Sequence, residues 1–293
     1  MLKTKTKIAI SLFAFIASFA FFSFARAETL KIGFVTDWEY GTKKEFDHKL
    51  PSSAKKYLKK AVSHYNNVFK PDLVVGGGDY ILSRGISKKK SVKQLRQIDS
   101  IFRKADASRR YCIGNHDLSE LSKDEVKKNL GIDYTHSSMD IDGIRVITMD
   151  TNDKAPGEKG YGVPGRVSDE ELAWLEEELD TNLPVIVFSH HSPVQTQDGK
   201  ASRTNIIAAD ETREVLEKYG NVVAVFSGHH AVNYETEVNG ISYVIINNLT
   251  DKNAKGAFAD ITAEKTENDV TVSVSQFGKK PATYSFSKIL SEN

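Results

Sequence analysis

The stretch Tyr111-Cys112-Ile113-Gly114-Asn115-His116-Asp117 runs from three apolar residues straight into residues that turn, ligate and carry protons. Upstream, Leu73 to Val75 breaks in the same way into Gly76-Gly77-Gly78-Asp79, and before it Leu30 to Val35 breaks into Thr36-Asp37. Downstream, Val185 to Phe188 ends in Ser189-His190-His191, and Val222 to Phe226 ends in Ser227-Gly228-His229-His230. Short runs rich in Val and Ile read as buried strands. Five strand ends therefore deliver Asp37, Asp79, Asn115 to Asp117, His190 with His191, and His229 with His230, which include five of the eight histidines.

Helical patterns lie between these runs. Leu58, Ala61, Val62, Tyr65 and Phe69 repeat at helical spacing, as do Val92, Leu95, Ile98 and Phe102. Ser168-Asp169-Glu170-Glu171 reads as a capping box ahead of Leu172, Leu175 and Leu179. Val215, Leu216 and Tyr219 close a fourth helix, with Gly220 as its stop. The alternation of strand and helix predicts a layered α/β core. Asp142-Gly143 and Asn239-Gly240 predict hairpins, and Phe258 to Ile261 with Val270 to Val274 predict closing antiparallel strands, so the sheets are mixed.

In open α/β sheets ligands gather beyond the carboxyl ends of strands. Each cluster alone has an ordinary reading: Asp37 as a turn cap, Gly-Gly-Gly-Asp as a tight loop, a His-His pair as a strand end. Together, at the same position on five strands, they suit divalent metal ions. Carboxylates take hard cations, imidazoles take Zn, Fe or Mn, and an amide oxygen tolerates either. A shared carboxylate would hold two ions about 3.5–4 Å apart, a pair able to activate water and neutralise a reacting phosphoryl group.

The order Asp37-x-Glu39, Gly78-Asp79, Gly114-Asn115-His116-Asp117, His190, Gly228-His229 resembles the signature of the calcineurin-like metallophosphoesterases, D-x-H, G-D, G-N-H-[DE], H, G-H-x-H. The resemblance spans about Lys31 to Asn247, with Asp140 to Asp150 similar to the family's middle hairpin and Val167 to Leu179 to its following helix. It implies an α/β sandwich of two mixed β-sheets flanked by helices, and a phosphoric ester hydrolase with two divalent metal ions. Carried over, Asp79 would bridge both metals, Asn115, His190 and His229 would complete the second position, and Asp37 would bind the first. His116 would stabilise the transition state or protonate the leaving alcohol, and Asp117 would orient it.

Two departures fall on the first position: Glu39 stands where the family has histidine, and Ala231 ends what would be G-H-x-H. Glu39 as a direct ligand would give an all-oxygen set with Asp37 and Asp79, favouring Mn²⁺ or Mg²⁺ over Zn²⁺; Mn is the expected pair, with Fe, Zn and Mg as the alternatives. The Mn-dependent ADP-ribose/CDP-alcohol diphosphatases are similar here, carrying D-x-Q before a tyrosine that Tyr40 matches. The other readings are a weak first position with one working metal, and a noncatalytic protein that binds phosphate-bearing ligands. Because neighbours on extended backbone point opposite ways, His191 and His230 are expected beside the site, His191 as a substrate contact. Arg166, after the glycine-rich Gly160 to Gly165, is a second candidate for a substrate phosphate.

Lys3, Lys5 and Lys7 precede an uncharged run from Ile8 to Ala25 and then Ala25-Arg26-Ala27, the layout of a secretory signal cleaved after Ala27. An uncleaved anchor is the alternative, since the run nears the roughly 20 residues that span a bilayer. Residues 28–293 would then form one phosphoesterase domain, periplasmic or secreted. Without residues 1–27 the chain keeps 36 of its 40 basic residues against 39 acidic ones, which gives no reason to expect a nucleic-acid surface. The expected partner is a small phosphorylated molecule. The single cysteine, Cys112, excludes an internal disulfide framework and reads as a buried strand residue.

Overall fold

Runs such as Leu73-Val74-Val75 and Val185 to Phe188 are apolar at every position because their strands are covered on both faces. The computed structural model describes residues 28–154, 164–195, 206–207 and 209–290; the leader segment expected at 1–27 and positions 160–163 of the glycine-rich loop lie outside the described residues. The chain runs β1 (Glu28–Val35), α1 (Ala54–His64), β2 (Leu73–Gly76), α2 (Lys88–Phe102), β3 (Ser108–Tyr111), α3 (Lys123–Leu130), β4 (Ser137–Ile141) and β5 (Ile144–Thr148). It continues through β6 (Gly165–Arg166), α4 (Asp169–Leu179), β7 (Val185–Ser189), β8 (Ile206–Ile207), α5 (Ala209–Glu217), β9 (Val222–Ser227), β10 (Tyr234–Val238) and β11 (Ile241–Ile245), then β12 (Phe258–Lys265), β13 (Asp269–Phe277) and β14 (Ala282–Ile289).

Two mixed six-stranded sheets result, one in the order β14-β13-β12-β1-β2-β3 and the other β10-β11-β9-β7-β5-β4. In the first, β1, β2 and β3 are parallel, with Phe34 opposite Val75 and Val75 opposite Arg110. In the second, β5, β7, β9 and β11 are parallel. The hairpin turns at Asp142-Gly143 and Asn239-Gly240 put both residues at positive φ, as a tight primed turn needs. They make β4 and β10 antiparallel edges.

The pleat sorts the apolar residues into three layers. Leu30, Ile32, Phe34, Leu73, Val75, Ile186, Phe188, Ala224 and Phe226 meet between the sheets, where the Phe34 and Phe188 rings lie 5.2 Å apart. Val74 faces outward to Leu58, Ala61, Leu95 and Ile98 of α1 and α2. Val185, Val187 and Val222 face outward to Leu175, Leu179 and Leu216 of α4 and α5. The molecule is thus a helix–sheet–sheet–helix sandwich, as expected.

Three local expectations shift. The strand expected at Tyr111 to Ile113 is Ser108–Tyr111, so Cys112 is buried between the sheets just past the strand end. The helix expected to reach Phe69 ends at His64 and loosens into a wide turn over Tyr65–Phe69, closed by Lys70 at φ 52°. The box at Ser168 is half formed: the Ser168 hydroxyl accepts from Glu171 N, but the Glu171 carboxylate accepts from Asp150 N at 2.9 Å and pairs with His136. A complete box caps α3 instead, between Ser122 and Glu125.

Candidate metal centre

Parallel strands end on one side, so the residues after β1, β2, β3, β7 and β9 converge. Asp37, Asp79, Asn115 and His116 come from one sheet, and His190 and His229 from the other, so the centre straddles the sandwich. The ligand loops bend sharply. Asp37, Glu39, Asp79 and His229 all sit at positive φ, between 44° and 67°, a conformation that costs a non-glycine residue on the order of 1 kcal/mol or more and clusters at functional sites. Two glycines allow the close approach. A Cβ on Gly114 would collide with the backbone and carboxylate of Asp79, and one on Gly228 with Thr36 and Asp37.

Three ligand atoms gather around His190 Nε2. His190 Nε2 lies 3.2 Å from Asn115 Oδ1, 3.2 Å from His229 Nδ1 and 3.4 Å from Asp79 Oδ2. Two donors at 2.0–2.1 Å from one tetrahedral ion lie roughly 3.4 Å apart, close to each of these three separations from His190. His190 Nδ1 meets the Gly77 carbonyl at 2.8 Å, so it carries the hydrogen and leaves the Nε2 lone pair for an ion. The donor set fits a metal ion. Burial pulls the His190 pKa down, but the Asp79 and Asp37 carboxylates and the bond to Gly77 outweigh it and hold the imidazole up at about 9. Without an ion, a proton thus supplies the positive charge that these acceptors require, and metal binding must release it.

Among the described residues, Asp79 belongs to two of the three groups of side chains able to hold an ion, one with Asp37 and His190 and another with Glu39 and His116. The shared carboxylate and the paired clusters suggest two metal ions. Asp37 Oδ2 accepts from Thr36 Oγ1 at 2.7 Å and from His229 N at 2.8 Å, while its Oδ1 is buried without a partner. Burial, and the like charge of Asp79, raise the Asp37 carboxyl to about 6 against the pull of His190. Burial also lifts Glu39 to about 8 despite Lys49, whereas for Asp79 the nearby His190, His116 and Lys49 overcome burial and hold it well below the usual carboxylate range.

His116 donates its backbone N–H to Asp79 Oδ1 at 2.7 Å, and its Nε2 lies 3.3 Å from Lys49 Nζ. Asp117 does not take the orienting role expected of it. Its Oδ1 accepts from Tyr80 N at 2.8 Å and Ile81 N at 3.2 Å, and its Oδ2 from Gly114 N at 3.0 Å. Asp117 therefore ties the loop after β3 to the loop after β2, and the residue beside the His116 ring is Lys49. Asp117→Ala would leave three buried N–H groups unanswered, at about 1–3 kcal/mol each. A urea titration should show a stability loss of at least about 3 kcal/mol; a loss below about 1 kcal/mol would contradict this role.

His191 is also placed differently. Strand β7 ends at Ser189, so the alternation of an extended chain no longer applies. The His191 ring lies 4.7 Å from that of His190 and 4.3 Å from that of His229, and the three group as possible ligands. His191 is fully buried with Nδ1 2.9 Å from Thr151 Oγ1, which places it beneath the centre rather than at a surface open to substrate. Arg166 lies one residue beyond Gly165, where a Cβ would press on the His191 ring at 2.5 Å. Two residues were not anticipated. Lys49 forms an ion pair with Glu39 Oε1, and Thr250 Oγ1 donates to Glu39 Oε2 at 2.8 Å. A cavity of about 280 Å³ opens beside His116 and Lys49, with Lys43, Arg84, Phe46 and Ile86 in its walls.

The sequence model of the calcineurin-like phosphoesterases matches residues 30–233, and the chain belongs to that family. A dimetal phosphatase from Danio rerio has the same fold, with a TM-score of 0.71 at 15% identity over 89% of this chain and 99% of that one. The anchor in the inner membrane complex of Plasmodium aligns with a TM-score of 0.54 at 11% identity, covering 90% of each chain. A putative 5'-nucleotidase from Staphylococcus aureus aligns with a TM-score of 0.51 at 11% identity over 82% of this chain and 51% of its own. Among curated protein sequences none matches.

Proposed function

We propose that this chain is an exported metal-dependent phosphoesterase that hydrolyses phosphomonoester, phosphodiester or diphosphate bonds of small molecules. The observation that carries the reading is the gathering of Asp79, Asn115 and His229 around His190 Nε2, joined through His116 to a cavity walled by Lys43, Lys49 and Arg84. A divalent ion bound there would supply Lewis acidity toward a phosphoryl oxygen and a lowered pKa for water. The oxygen-rich side of the centre, Asp37 with Asp79, favours Mn²⁺ as the physiological ion.

The side chains supply the rest. Lys43 and Arg84 neutralise an entering phosphate, and Phe46 and Ile86 give its organic part an apolar wall. His116 lies where the cavity meets the metal ligands, the position for a group that stabilises the transition state or protonates the leaving oxygen. Export rests on the Lys-rich start, the apolar run and Ala25-Arg26-Ala27; among the described residues no helix is long and apolar enough to cross a membrane.

The test uses the chain purified from Glu28 and loaded with Mn²⁺. Hydrolysis of p-nitrophenyl phosphate, bis-p-nitrophenyl phosphate and ADP-ribose is measured with and without chelator. Metal-dependent turnover of at least one ester is expected, and the preferred one sets the bond type. Metal binding with no turnover on any of the three would favour a phosphate-ligand binding protein on the esterase fold.

A further inference from the structure

Asp37, Glu39 and Asp79 bring three carboxylates into one buried place. Buried charge on this scale demands compensation. Relative to the family pattern, the first position has gained an acid at Glu39 and lost imidazoles at 39 and 231. Both oxygens of Glu39 are nevertheless engaged, Oε2 by the Thr250 hydroxyl and Oε1 by the Lys49 ammonium. The same ammonium reaches His116 Nε2 at 3.3 Å.

Lys49 is not a surface lysine that folded inward by chance. It is only 8% exposed, and its backbone is fixed on both sides. Lys49 and Phe46 exchange N–H···O bonds of 2.9 and 3.1 Å. Leu50 N donates to Thr250 O at 2.8 Å, and Lys252 N donates to His48 O at 2.7 Å. The loop that carries Lys49 is thereby locked to the loop that carries Thr250, and together they set both partners of Glu39.

We propose that the Lys49 ammonium is the resident cation of the first position. One divalent ion then binds tightly among Asp79, Asn115, His190 and His229, and a second enters at Asp37 and Glu39 only by driving Lys49 away. This deepens the phosphoesterase reading and rests on it for the meaning of the two positions. The ammonium already answers Glu39 directly, so a divalent ion at the same carboxylate would meet a second cation. An ammonium offers three donors and no lone pair, so it cannot join a metal's coordination and can only compete with it. At contact distance the two cations repel strongly in a buried site.

The test is a calorimetric titration of chelator-stripped protein with Mn²⁺, for the wild type and Lys49→Met, which keeps the apolar stem and removes the charge. The wild type should bind one ion tightly and a second at least about a hundredfold more weakly. Lys49→Met should tighten the second step by at least about tenfold, and the variant should carry two ions through gel filtration. Two equal sites in the wild type, or a second step unmoved by the substitution, would overturn the proposal. Should Lys49→Met fail to fold, the wild-type isotherm decides alone. Turnover is read separately: unequal binding steps as described in a chain that cleaves no ester would sink the phosphoesterase reading and leave the role of Lys49 intact.

Discussion

Asp79→Asn should strip the chain of metal and reduce hydrolysis to background. Asp79 is buried, its Oδ2 faces His190 Nε2 at 3.4 Å, and it is the residue common to the two carboxylate-containing ligand groups. The amide keeps the size of the side chain, and its oxygen still accepts the 2.7 Å bond from His116 N, so the loops stay together. What disappears is the negative charge that sits between the two positions. Outer-shell partners of metal ligands typically cost 10–100-fold in affinity or activity, so loss of the shared ligand itself should exceed about a hundredfold in both. Metal content after gel filtration and turnover on the preferred ester check this. Wild-type metal content in the variant would remove Asp79 from its bridging place.

The second large effect is expected at His116. Its backbone is fixed by the bond to Asp79 and by the Ser83 hydroxyl, which donates to the His116 carbonyl at 2.7 Å. His116→Ala therefore leaves the loop in place and removes only the imidazole at the cavity. Positioned acid–base groups contribute about 10²–10⁴-fold, so kcat should fall by that range while metal content holds. Normal kcat would remove the proton-donor role. A parallel loss of metal would instead make His116 a ligand, as its grouping with Glu39 and Asp79 permits.

Much of the fold was legible because burial on both faces writes itself into sequence as uninterrupted apolar runs, and because each run breaks where its strand leaves the core. The converging positions of Asp37, Asp79, Asn115, His190 and His229 follow from that alone, before any family is considered. What could not be read depends on contacts between distant loops. Thr250 reaches Glu39 across 211 positions, and Lys49 lies in Asp47-His48-Lys49-Leu50, a stretch with no pattern to separate it from a solvated surface. His191 lies two residues past the end of β7, where strand alternation no longer specifies the direction of a side chain. Glu171 fits a capping box by spacing, but burial offered its carboxylate Asp150 and His136 instead. The role of Asp117 turned on the direction of its carboxylate, which residue type and spacing do not specify.

Because its ligands come from both sheets, the centre is also a mechanical fastener at one end of the sandwich. Deeper in, the layers meet through non-directional packing, such as Phe34 against Phe188. At the rim they are joined by His229 N to Asp37 and His190 Nε2 to Asn115, and a bound ion would rivet those contacts. Such a rivet adds stability that grows with free-ion concentration, and its benefit falls on the ligand loops rather than evenly over the molecule. This ties resistance to unfolding at the ligand rim to the metal supply around the protein.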